Sequence, residues 1–159
     1  RVPYHSWTSS AYTFLTLFYT NENKALKLSN VATFAQIAQD NETMHVVVIS
    51  QLVKEERAGF IRHTCIPLFF AFFYFWASYF LHLINPRYSY ELNYLFESHA
   101  FEQYNRFIET RGEELKKKPI HSNFLKWYGR NHQNEYEFFL SVRNDEIIHR
   151  NTSIDEINK

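Results

Sequence analysis

The sequence predicts an all-α fold, a helical bundle, and three observations support this prediction. Glycine and proline are scarce, with 3 and 4 residues among 159, which favours long helices over a sandwich or a barrel. Apolar residues recur with helical periodicity over residues 31–56 and again over residues 135–151. The dipeptide Asn85-Pro86 ends a third, strongly apolar segment, as proline does at a helix boundary.

The first part of the chain is predicted to form two helices joined by a turn. Tyr4 to Tyr19 is apolar with scattered hydroxyl groups and is interpreted as one helix, followed by the polar turn Thr20–Lys24. Ser29 is the candidate N-cap of the next helix, which is predicted to run to about Glu56. Gly59 then interrupts the helical pattern.

The segment Ile66–Ile84 is nearly uncharged and rich in aromatic residues, and three interpretations compete for it. Its length allows a transmembrane helix. Aromatic and histidine side chains such as Trp76 and His82 suit a monotopic helix lying in one leaflet. The third interpretation is a fully buried core helix. Because a single span is awkward in a compact helical enzyme, the sequence favours one-sided insertion at the membrane interface.

Two further helices are predicted in the second half of the chain. The first runs from about Tyr88 to Thr110 and is followed by an exposed loop, Gly112–Ser122, whose lysine run forms a solvated or headgroup-facing patch. The second covers roughly Asn131 to Asn151, and residues 152–159 are predicted to be a polar tail. The whole chain, residues 1–159, is predicted to be a single domain.

Two E-x-x-H pairs, Glu42/His45 and Glu146/His149, fall in these helices, and Glu97 lies on a helix between them. Residues i and i+3 share one helix face, so each pair directs a carboxylate and an imidazole at one place. Two such pairs, with carboxylates from other helices, form the interior of a ferritin-like di-iron four-helix bundle. The sequence therefore predicts two non-haem iron ions and a redox enzyme that activates oxygen. A chain of this composition yields about one such pair by chance, so the alternative is a set of solvated surface neighbours.

The predicted ligand set is one carboxylate short of the usual four carboxylates and two histidines. Glu102 lies five residues after Glu97, about 140° round the helix from it, and Glu91 is nearly two turns away. Neither residue supplies the missing ligand convincingly.

Composition narrows the choice of partners. The formal net charge is +0 and no basic patch dominates, so no nucleic-acid partner is expected. The single Cys65 excludes an internal disulfide. The 16 Phe and 11 Tyr residues suit contact with a bilayer or with a flat apolar ligand.

Three motifs, taken in order, resemble the alternative oxidase superfamily: Asn41–His45 (NETMH), Phe96–Tyr104 (FESHAFEQY) and Arg143–His149 (RNDEIIH). The family patterns are N-E-x-M/H-H, E-x-x-A with a tyrosine seven residues after the glutamate, and R-x-D-E-x-x-H. The Glu-x-His-Ala sequence, Asn85-Pro86-Arg87 and the opening Arg1-Val2-Pro3-Tyr4 are similar to the plastid terminal oxidase branch.

The resemblance implies a quinol oxidase that passes electrons from plastoquinol, or from ubiquinol as the second choice, to dioxygen and reduces it to water without pumping protons. It implies iron carboxylates at Glu42, Glu97 and Glu146, with His45 and His149 as ligands or near-ligands. It also implies that Tyr104 lies close to the metal as a candidate for electron or radical transfer. Without the motif, Tyr104 would be an ordinary buried aromatic residue.

Further roles follow from the same resemblance. Asn41 and Asp145 would orient the ligands by hydrogen bonds, and Arg143 would neutralise Asp145 or form an ordinary surface pair. His99 would lie near the ligands, although a lone histidine beside core residues is more often structural. Ala100 and Gln103 would lie near the quinone pocket.

The resemblance also implies a place for the missing carboxylate. In the family the first glutamate ligand precedes the R-V-P-Y stretch by a few residues, so here it would lie upstream of Arg1. The first metal helix would then be incomplete in this chain, and iron binding would be poor. The implied partners are quinol, dioxygen and a lipid bilayer at Ile66–Ile84, in the thylakoid or another energy-transducing membrane, with a homodimer as the family's assembly.

Two alternatives remain open from the residues alone. One is a di-iron hydroxylase of a quinone precursor, and the other is a non-catalytic, ferritin-like iron-binding membrane protein. Quinol-dependent oxygen uptake separates them from an oxidase, because only an oxidase consumes quinol without adding oxygen to the product.

Overall fold

The computed structural model describes residues 1–53 and 59–159, and the regular elements of this part are helical. It contains six α-helices and a π-helical turn, Ile61–Cys65, before the third helix; the α-helices are α1 (Val2–Phe18), α2 (Glu22–Leu52), α3 (Ile66–Ile84), α4 (Pro86–Leu115), α5 (Asn123–Trp127) and α6 (Glu135–Ile157). The all-α prediction is confirmed.

Contacts divide the chain into two compact units. Unit 1 comprises Arg1–Thr43 and Val53–Ser89, and unit 2 comprises Met44–Leu52 and Tyr90–Lys159. The expectation of a single domain with an incomplete first metal helix stays a prediction.

In unit 1, α1 packs against α3 through small and aromatic side chains. Ser6 donates a hydrogen bond to Ser78 over 2.8 Å, and both side chains are fully buried. The Trp7 indole stacks on the His82 imidazole with 5.8 Å between the ring centroids. The two serines let the helices approach closely, and the indole fills the space beside them.

The remaining surface of α3 is apolar and faces outwards. Of the helices in the described residues, α3 is the one that is long and apolar enough to cross a membrane by length and composition, and only 11% of its apolar window is buried. Its exposed large side chains are Ile66, Leu68, Phe69, Phe70, Phe72, Phe73, Trp76, Phe80 and Ile84. The interpretation of this segment as a fully buried core helix is therefore wrong.

Unit 2 holds a hydrophobic core to which α2, α4, α5, α6 and the loop before α5 all contribute. Its buried members are Met44, Val48, Ile108, Leu115, Ile120, Leu125, Phe138, Phe139 and Val142. The cluster fixes the mutual position of the helix segments that carry the polar residues described below.

The observed start of α2 differs from the expected one. The helix begins at Glu22, because the side-chain oxygen of Asn21 accepts a hydrogen bond from the backbone N–H of Lys24 over 3.1 Å. Ser29 lies inside the helix, so its assignment as the N-cap is wrong. The expected end at Glu56 lies outside the described residues.

Helix α4 is longer than predicted at its C-terminal end. It continues through Gly112 to Leu115, whose side chain is 1% exposed in the core of unit 2. Gly112 leaves room for the ring of Tyr136, which would lie only 3.2 Å from a Cβ atom at that position. The expectation of an exposed loop from Gly112 is therefore wrong for its first four residues.

Helix α6 also extends beyond its predicted end. The side chain of Asn134 caps it by accepting the backbone N–H of Glu137 over 2.9 Å. Within the expected polar tail, Ser153 is fully buried and accepts a hydrogen bond from Asn93 over 3.1 Å. Most of that tail is thus the last part of a packed helix.

Candidate metal centre

Helices α4 and α6 bring three of the predicted ligands together. Glu97 of α4, and Glu146 and His149 of α6, each offer one ligand atom, and these atoms lie within 4.8 Å of one another. All three side chains are buried, with exposures of 7%, 3% and 5%. The i,i+3 spacing places Glu146 and His149 on one face of α6, as predicted.

The close approach of the carboxyl groups of Glu97 and Glu146 needs a positive charge for compensation. At an effective dielectric constant of 20, two negative charges about 4 Å apart repel by about 4 kcal/mol. A metal cation turns this repulsion into attraction, and carboxylate oxygens with an imidazole nitrogen form a donor set that suits non-haem iron. The residues present therefore fit a metal ion.

Helix α2 contributes His45 to the same region of unit 2. The Nε2 atom of His45 lies 2.8 Å from Oδ2 of Asp145, and its Nδ1 atom lies 3.6 Å from Oε1 of Glu146. Glu42 precedes His45 by three residues on the continuous helix α2, so both side chains emerge from the same face.

Asp145 is neutralised by a residue that the sequence analysis did not single out. Arg130, in the loop between α5 and α6, donates from Nη1 to Oδ2 of Asp145 over 2.5 Å and from Nη2 to Oδ1 over 2.8 Å. The hydrogen bonds that Arg130 donates to Asp145 raise the pKa of Arg130, while burial and the charge of Arg130 lower the pKa of His132. The result is a chain of contacts from the half-buried guanidinium of Arg130, through the carboxylate of Asp145, to the imidazole of His45.

A comparison with protein-family models shows to which family the chain belongs. The model of the family described as "Alternative oxidase" matches residues 19–156 of the chain. The chain belongs to the alternative oxidase family. The resemblance seen in the three sequence motifs is thereby confirmed.

A curated relative of the chain is "Ubiquinol oxidase 4, chloroplastic/chromoplastic" of Arabidopsis thaliana. The two are 26% identical over 172 aligned positions, which cover 96% of this chain and 46% of the relative. The chain therefore spans about half the length of that relative. The relative supports the resemblance to the plastid branch, and no solved structure gives a significant match.

Tyr104 lies two helical turns after Glu97 on α4, within about 20° of the same direction. Its ring is half-buried and packs beside Phe139, with 6.3 Å between the centroids. The position suits the predicted role near the metal, which stays a prediction.

The expectation for Arg143 is wrong in one respect. Arg143 donates to Asn105 over 3.1 Å and to Asn144 over 2.9 Å, whereas Arg130 holds Asp145. The reason is helical geometry, because residues two apart on a helix face opposite sides. Arg143 and Asp145 could not meet on α6.

The other predicted site residues lie on α2 and α4. Asn41 is buried, 4% exposed, one turn before His45 on α2, and its orienting role stays a prediction. His99 is exposed and lies two residues from Glu97, on the opposite side of α4, and its place near the ligands stays a prediction. Ala100 is half-buried and Gln103 is exposed in a shallow depression with charged neighbours such as Arg106, and their quinone contact stays a prediction.

Proposed function

We propose that this alternative oxidase is a quinol oxidase in which two quinols reduce one dioxygen to two waters. The observation that carries this proposal is the buried group of Glu97, Glu146 and His149 in a chain of this family. Two non-haem irons at this group supply one-electron redox chemistry between quinol and dioxygen. No observation on the described residues favours a hydroxylase or an iron-storage protein over an oxidase.

The proposed ligands come from three helices. Glu97 and Glu146 provide buried carboxylates, and His149 provides an imidazole beside them. Glu42 and His45 are proposed from α2, because they share a face and His45 already contacts Glu146. Burial excludes water, and the carboxylates hold charge that the metal ions balance.

We place the oxidase on a membrane surface through α3. Its outward aromatic side chains, together with the exposed Leu17 and Tyr19 at the end of α1, form apolar surfaces that suit one leaflet of a bilayer. A thylakoid or another energy-transducing membrane is proposed because the Arabidopsis relative is named as chloroplastic. A homodimer is proposed on family resemblance.

A cavity of about 550 Å³ in unit 1 is a second proposed quinol site, separate from the contact predicted at Ala100 and Gln103. Its apolar wall comes from α3 and includes Ala71 and Phe75, while Gln39 and Thr43 of α2 line it with polar groups. Its volume lies within the range of small-molecule sites, and Thr43 directly follows Glu42 in the chain. The apolar wall suits the isoprenoid tail of a quinol, and the polar groups of α2 suit its ring.

Filling this cavity is expected to weaken quinol binding. Ala71→Phe adds a ring to the apolar wall, so the KM for quinol is expected to rise about tenfold, with kcat and iron content unchanged. The matched control is Ala77→Phe, because Ala77 is exposed on the same helix and does not line the cavity. Equal KM values for the two variants, measured by oxygen uptake, would exclude this site.

The proposed function is tested by oxygen consumption with the full-length protein in lipid vesicles. We expect oxygen uptake that depends on quinol, two quinols oxidised per dioxygen, and no oxygen in the quinone product. Plastoquinol is expected to give a higher kcat/KM than ubiquinol. A hydroxylated product, or iron uptake without quinol turnover, would contradict the proposal.

A further inference from the structure

The loop after α5 holds the backbone of Arg130 in a defined place. The backbone N–H of Gly129 donates to Lys126 over 3.1 Å, and that of Arg130 donates to Leu125 over 3.0 Å. This pair of bonds, with Gly129 at φ 86°, is a Schellman motif that ends the helix. Since Leu125 is 3% exposed in the core of unit 2, the motif anchors Arg130 to the core.

The guanidinium of Arg130 is also fixed at its far end. Both nitrogens of its planar fork engage both oxygens of Asp145, a geometry that lysine cannot reproduce. The Tyr128 ring lies 5.7 Å from the guanidinium carbon, and Ser141 accepts a weaker bond over 3.4 Å. The side chain of Asp145 is 10% exposed and that of Arg130 is 27% exposed, so the carboxylate is the better shielded of the two from water.

This pairing determines how Asp145 meets His45. Both carboxylate oxygens of Asp145 accept hydrogen bonds from Arg130, so they are acceptors toward His45 as well. The Nε2 atom of His45, 2.8 Å from Oδ2 of Asp145, must therefore carry the hydrogen. In the neutral ring the Nδ1 atom then presents its lone pair on the side of Glu146, 3.6 Å away.

We propose that Arg130 is a positioning residue that, through Asp145, sets the tautomer and orientation of the His45 ring toward the metal centre. The inference rests on the proposed metal site and not on quinol turnover. The loop between α5 and α6 would thus orient a histidine that lies on α2. Mutation of a residue that orients a ligating histidine typically lowers metal affinity by roughly 10- to 100-fold.

The test uses the full-length protein and Co(II) as the probe. In the metal-free protein, nitrogen NMR is expected to show the His45 ring with its hydrogen on Nε2, and Arg130→Gln is expected to give a mixture of tautomers. The same variant is expected to weaken Co(II) binding by about tenfold, followed by visible absorption. Arg130→Lys keeps the charge but not the fork, and is expected to restore part of the affinity.

The control is Arg111→Gln, which removes a half-exposed guanidinium paired with Glu114 on α4. If Arg130→Gln matches this control in both tautomer and Co(II) affinity, the inference is wrong. If Arg130→Gln does not fold, Gly129→Ala provides the test, because a Cβ there meets nothing within 4 Å and strains only the backbone. We then expect a smaller loss of affinity, and an unchanged affinity would overturn the inference.

The two proposals fail separately. A protein that shows the Arg130 effects but no quinol-dependent oxygen uptake would overturn the oxidase function and leave the positioning role standing. Normal oxygen uptake, with a His45 ring that does not respond to Arg130→Gln, would overturn the positioning role and leave the oxidase function standing.

Discussion

Replacing Glu146 by glutamine is expected to abolish iron binding and quinol oxidation while the fold is kept. The glutamine side chain has nearly the same shape, and the residue is 3% exposed, so packing is preserved. The change removes a negative charge that would otherwise lie beside Glu97 and compensate the metal ions. We expect iron content to fall to background and turnover to fall at least about a thousandfold.

The same substitution is expected to stabilise the metal-free protein, although it abolishes iron binding. Without metal, Glu146→Gln removes one partner of a buried carboxylate pair, so the melting temperature of the metal-free protein is expected to rise. Adding iron should raise the melting temperature of the wild type alone, because a ligand stabilises only the state that binds it.

The control for these measurements is Glu113→Gln on α4. The Glu113 side chain is 85% exposed and pairs with Lys116, so its loss should change neither iron content nor turnover. If Glu146→Gln retained wild-type iron content and quinol turnover, the assignment of Glu146 as a ligand would be wrong.

The part of the site that lies on long helices could be predicted from sequence. Glu97, Glu146 and His149 lie on strongly periodic helices, and the i,i+3 rule determines which side chains share a face. The same rule, applied to residues two apart, argues against Arg143 as the partner of Asp145. The motif that contains Arg143 and Asp145 does not by itself give the helical direction of each residue.

Arg130 could not be found in this way, because it follows a helix of only five residues with no usable periodicity. The one local signal is Gly129, since glycine is the residue that most often ends a helix in the left-handed conformation. Which carboxylate the next residue meets depends on tertiary packing. The predicted ends of α4 and α6 were wrong for a related reason. Burial of Leu115 and Ser153 extends these helices beyond the polar residues that were expected to end them.

For α3, composition gave the apolar character but not the direction in which the side chains face. An aromatic helix is equally consistent with a core and with a membrane surface until its neighbours are known. The small buried residues Ser6 and Ser78 occupy the contact with α1, which leaves the phenylalanines on the outside. The hydroxyl pair, more than the aromatic run itself, determines the buried side.

Replacing Tyr104 by phenylalanine is expected to lower kcat about a hundredfold or more, without changing iron content or the KM for quinol. The phenylalanine ring keeps the contact with Phe139, so the fold and the metal site should be retained. What is lost is the phenolic O–H, which can supply a proton and an electron on the face of α4 that carries Glu97. Reduction of dioxygen to two waters requires four electrons and four protons, and two quinols deliver them in separate encounters. A group that supplies one of each between these encounters should affect turnover and not binding.

The matched control is Tyr136→Phe, because Tyr136 also packs against the core of unit 2 but lies against Gly112, away from Glu97. Steady-state oxygen uptake, iron analysis and quinol titration on both variants separate the effects. A Tyr104→Phe protein with wild-type kcat would reduce Tyr104 to an aromatic packing residue. A loss of iron in that variant would instead make its hydroxyl part of the ligand environment, because no other group is changed by the substitution.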